Sequence, residues 1–144
     1  MAKTDFSIAE IAALRLKCQA MELEGREILE KYTDEELSKI FNGIGPDAFP
    51  AWLRALISWL HDSLLCVALI HDVQWYERSL RKNVPGAEDR AEFAASNAMF
   101  KLNGYRAAKY DYSVLNPARY KVEFDAWRFS VLCGTEFGWL AWKN

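Results

Sequence analysis

The sequence predicts an all-α fold, a single compact helical domain over residues 1–144, and three observations predict it. Apolar residues recur at helical spacings of three and four, while no stretch alternates apolar and polar as a half-buried strand would. Helix-start signals punctuate the chain at Ser7/Glu10, Thr33/Glu36 and Asn116-Pro117. Between them lies Leu64–Ile70, an unbroken apolar run that would cover every side of a helix, and a helix apolar all round is a buried one.

In chain order, Ser7 and Glu10 have capping-box spacing, so a helix is expected over about 8–31. Its seam is Ile11, Leu14, Cys18, Met21, Gly25 and Ile28, too short and too interrupted for a coiled coil and suited to packing within the domain. Thr33 and Glu36 open a short helix ending near Phe41. Asn42-Gly-Ile-Gly-Pro-Asp47 is the strongest break in the chain. The central helix follows over about 50–76, with Pro50 in its first turn. A fourth helix is expected over 88–103, ended by Gly104 and carrying the stripe Phe93, Asn97, Phe100. Tyr105–Leu115 reads as a loop. Asn116-Pro117 starts a helix over 117–133 with Tyr120, Phe124, Trp127 and Val131 on one face, and Gly134 stops it. The tail from Phe137 to Trp142 is too apolar to hang free.

Composition narrows the function. Hydrophobic residues at 51% and aromatics at 14% exclude a disordered chain. A net charge of -2 and the lack of a basic stripe argue against nucleic acid as a partner. Arg54, His61 and Asp62 interrupt the roughly twenty apolar residues a bilayer span needs. Cys18, Cys66 and Cys133 are odd in number and far apart, which fits reduced thiols in a cytoplasmic setting rather than disulfides or zinc. No basic-then-apolar leader opens the chain, so no signal peptide is expected. Of the six tryptophans most are expected in the core, with Trp52 or Trp142 free to form a partner surface.

Chemistry concentrates in two adjacent pairs, His61-Asp62 and His71-Asp72. The second follows the buried run, where an ionisable pair needs partners or shifts its pKa. On a helix, adjacent side chains point about 100° apart. His71 could thus deprotonate a water while Asp72, with carbonyls from Gly43 and Gly45, offers oxygen ligands of the kind calcium takes. Asn97 is the expected orienting partner of His71, with Asp89 and Glu92 as alternatives. A phosphohydrolase metal site is disfavoured unless the helix breaks between the two histidines, because ten residues of continuous helix would separate them by about 15 Å. No phosphate loop and no GxSxG are present, and Cys66 sits in the apolar run, a poor place for a nucleophile.

Asn42-Gly-Ile-Gly-Pro46, Ile70-His-Asp72 with Trp75 or Tyr76, and Ala95-Ser-Asn-Ala-Met-Phe100 resemble small uncharacterised phage and prophage proteins. These in turn resemble, remotely, the phospholipase A2 type. Over residues 42–103 the resemblance implies a calcium loop at Gly43 and Gly45, Asp72 as metal ligand, His71 as base, and a lipid or ester substrate. It also implies the cytoplasm of an infected or lysogenic bacterial host. Two departures stand out: the flanking cysteines of the secreted enzymes are absent, and the orienting aspartate falls on Asn97. The alternative is a non-catalytic phage interaction protein that binds a host protein, such as a defence or replication factor, with the His-Asp pair purely structural.

Overall fold

A computed structural model describes residues 5–42, 51–81 and 90–143, the side chains of 51–54 and 143 set aside. Among them there are helices and turns and no strand, which is the expected all-α class. The helices are α1 (Ile8–Ala20), α2 (Asp34–Phe41), α3 (Ala51–Ser58), α4 (Leu65–Ser79), α5 (Arg90–Asp111), α6 (Pro117–Cys133) and α7 (Glu136–Lys143). Short 3₁₀ turns precede α2 (Arg26–Lys31) and α4 (Asp62–Leu64). No described helix is long and apolar enough to cross a membrane.

The caps read from the sequence form. Ser7 and Thr33 each accept from the backbone N–H three residues on, and Glu10 and Glu36 return the bond. Asn116 caps α6 through Ala118 N–H, with Pro117 in the first turn. Three helix boundaries differ from expectation, each for a physical reason.

The helix expected over 8–31 ends at Ala20. Gly25 stands at φ 81, a left-handed conformation that a side chain resists, and a Cβ there would also strike Met99 Sδ. The turn is clamped from α5, where Asn103 accepts from Glu24 N–H at 2.9 Å and donates to Glu24 C=O at 2.8 Å. It brings Leu23 and Leu29 into the core.

The single helix expected over 50–76 is two. It breaks after Ser58, where His61 turns extended (φ -60, ψ 144) and its Nδ1 accepts Ser63 N–H at 3.1 Å. His61 therefore serves as an N-cap, a role that needs no proline or glycine to announce it. Beyond this break α4 is the buried centre, with Cys66 through Val73 all buried. It packs against α1, α2, the 26–31 turn, α5 and α7.

The helix expected over 88–103 runs on to Asp111, so Gly104 and the first part of the expected loop are helical. Gly104 is not a terminator but a contact: a Cβ there would overlap the Cβ of Ala126. This close approach joins α5 to α6. Gly134 does cap α6, and α7 then folds back over its end. Trp142, expected as a possible partner surface, is buried against Trp75 and Phe93 instead.

Candidate functional site

The pair singled out by the sequence lies on the most buried part of α4. His71 is 1% exposed and Asp72 is 0% exposed. Both positions follow from the preceding apolar run, which sinks every side of the helix into its neighbours. The stripe on α5 is buried as well, so the Asn97 amide must find a partner inside. It does: Asn97 Oδ1 lies 3.0 Å from His71 Nε2. With the amide oxygen toward the ring, Nε2 carries the proton and donates, leaving the lone pair on Nδ1. Ser130 of α6 donates to the backbone carbonyl of Asn97 at 3.0 Å. One polar unit thus ties α4, α5 and α6 together.

Aromatic rings enclose the imidazole. Trp75, Phe100 and Phe129 have centroids 5.4, 5.3 and 5.5 Å from it, and Phe100 stacks on Phe129 at 4.3 Å. Burial among these rings pushes the His71 pKa down to about 4, outweighing the Asn97 hydrogen bond, which acts the other way. Burial, and then the Asp72 carboxylate, push the Cys133 thiol up, so Cys133 is a neutral core residue and no nucleophile. Cys18 and Cys66 are buried too, with the Cys18 thiol donating to the Cys66 carbonyl at 3.3 Å.

The other site residues separate. Gly43 and Gly45, and with them the expected calcium loop, lie outside the described residues, as does Asp89. Glu92 is engaged at the surface by Arg81, and Asn97 takes the place beside His71. His61 faces Tyr112 at 3.5 Å, away from Asn97, so the two histidines do not share a centre. Among the described residues no three His, Cys, Asp or Glu side chains converge to hold a metal ion.

A second feature is only half legible in the sequence. Tyr120, Phe124, Trp127 and Val131, the stripe expected on α6, point outward and are 52, 54, 46 and 48% exposed. The face that α6 turns to the core is Val122, Ala126, Phe129 and Cys133. The helix is apolar on two opposite sides. The available signal is two interleaved stripes on one helix, each at helical spacing, where only one can face a given core. Trp59, 74% exposed, adds to this surface across a shallow groove shared with Leu132 and Arg128. Compared with known families, curated proteins and solved structures, the chain matches none.

Proposed function

We propose that this chain is a non-catalytic interaction protein, in which the His71–Asn97 unit with Asp72 holds helices together and the outer face of α6 meets a partner. The observation that carries the reading is the burial of the imidazole. A general base must reach the proton it removes within about 3 Å or through one water. His71 spends Nε2 on Asn97, and its ring is walled by Trp75, Phe100 and Phe129. The exposed stripe supports the same reading, because monomeric proteins rarely leave large apolar patches without use. The alternative weighed from the sequence, a non-catalytic protein that binds a host protein, belongs to this class of function.

Calcium-dependent ester hydrolysis, the competing reading, draws on the same hydrogen bond, in which Asn97 stands where that chemistry uses an aspartate: the amide oxygen can orient the ring but cannot stabilise an imidazolium as a carboxylate does. Calorimetric titration with calcium, paired with an ester-cleavage assay, separates the two. The interaction reading expects neither calcium heat nor turnover. It also expects Asp72→Asn to lower stability by about 2–4 kcal/mol, because Asp72 is 0% exposed and engaged in the core, and an amide does not replace the contacts of a buried carboxylate like for like. Calcium-dependent cleavage that disappears in His71→Ala would overturn it.

A further inference from the structure

The outer face of α6 carries an apolar stripe under two heptads long, too short for a free-standing coiled coil but enough for one helix-on-helix contact between folded domains. Tyr120, Phe124, Trp127 and Val131 alternate spacings of four and three, which places them at successive d and a positions of a heptad. Beside this seam, Lys121 and Arg128 occupy e positions and Glu123 a g position. We propose that the occupant of this face is a second copy of the chain, its α6 running parallel to the first; this rests on the interaction reading above.

Charge decides both the partner and the direction. In a parallel pair, each g residue meets the e residue five positions on in the other strand. Glu123 of each copy then faces Arg128 of the other, giving two attractive contacts. In an antiparallel pair centred on the same seam, e faces e, and Lys121 would oppose Arg128 twice. Arg128 is already set in place for the first arrangement: Asp125, buried beneath it, holds its guanidinium at 3.1 Å while the side chain stays 45% exposed. Glu123 pairs with Arg119 at 3.3 Å on the same helix and keeps part of its carboxylate toward solvent.

The area is consistent with a weak, reversible dimer. Side chains of roughly 200 Å² that are half-exposed leave about 400 Å² on the crest of each copy. Trp59 and Leu132 on the flank raise this to about 600 Å², or about 1,200 Å² in total, the lower end for specific interfaces. A monomer would instead keep three aromatic rings in water for no gain.

Sedimentation of the full chain across a concentration series tests this. The wild type is expected to pass reversibly from monomer to dimer. Trp127→Glu, on the solvent side of α6, is expected to stay monomeric at every concentration with an unchanged melting temperature. Glu123→Lys and Arg128→Glu should each weaken self-association at least about fivefold, because each reverses two attractive pairs. Mixed in equal amounts, the two variants should form a heterodimer in which the new lysine of one copy meets the new glutamate of the other. That restored attraction should bring association back toward the wild-type level. Arg128→Gln, which avoids a new carboxylate beside Asp125, should also weaken the dimer. A wild type that remains monomeric at the highest concentration it tolerates overturns the proposal and leaves the non-catalytic reading to the calcium and ester assays. A dimer untouched by Trp127→Glu overturns it as well. If Arg128→Gln tightens association, the copies are antiparallel and the proposed arrangement is wrong.

Discussion

At the scale of single residues, His71 links burial to pH. Its folded pKa of about 4 lies below the ordinary value of 6.5, and the first cause is burial among rings that cannot solvate a cation. In the window between those values the unfolded chain holds a proton that the native chain refuses. Stability from this group is therefore complete above the ordinary value and is lost as pH falls toward the folded one. The whole effect is on the order of 3 kcal/mol, of which about 2 kcal/mol should be lost between about pH 7 and pH 5. Urea denaturation at those two pH values, on the wild type and on His71→Gln, measures it. The variant should show a flatter pH dependence, and an equal slope in both proteins would mean that the ring is not the titrating group. The pairing of His71 with Asn97 was legible because a lone amide in an apolar stripe has to be satisfied. The capping role of His61 was not, because histidine is not among the residues that mark a helix start.

Among the helices, sequence signals located starts better than ends. Ser7, Thr33 and Asn116 act through a side-chain oxygen on their own local backbone, so the few residues around each contain the whole cause. Ends depend on what lies across the fold. Gly104 reads locally as a terminator, yet it lies within a 22-residue helix because α6 approaches too closely for any side chain. That gives a prediction whose sign runs against propensity. Alanine is favoured over glycine inside a helix by about 1 kcal/mol. Gly104→Ala should nonetheless destabilise the protein by about 1–3 kcal/mol, because the new methyl meets Ala126 Cβ, which is fixed to its own backbone. Ala126→Gly in the same chain should recover part of the loss, and a double-mutant cycle by chemical denaturation reads the coupling. Independent, additive effects would show that the two helices yield there. The double-faced α6 was hidden for a related reason: periodicity finds an apolar face, but only the packing says whether it turns in or out.

For the molecule as a whole, the all-α class was legible from spacing alone, while the closure of the core was not. The tail from Phe137 to Trp142 reads as apolar, and nothing local says what it covers. It covers α4: Trp142 meets Trp75 edge-on at 5.3 Å, and Trp75 is itself one of the rings around His71. The last helix therefore seals the same aromatic cluster that closes off the imidazole. The first three elements also pack on α4, so the two ends of the chain share one core. Loss of the indole should then be felt everywhere. Trp142→Ala is expected to cost about 3–5 kcal/mol, the usual range for removing a buried aromatic. Because α4 is common to both sides, the loss should appear as one transition at a lower temperature, with helix content and aromatic circular dichroism melting together. If aromatic signal were lost first while the main helical transition stayed in place, α7 would be a separable flap rather than part of the core. The wall around His71 would then open without unfolding, and the argument against a reactive imidazole would lose its footing.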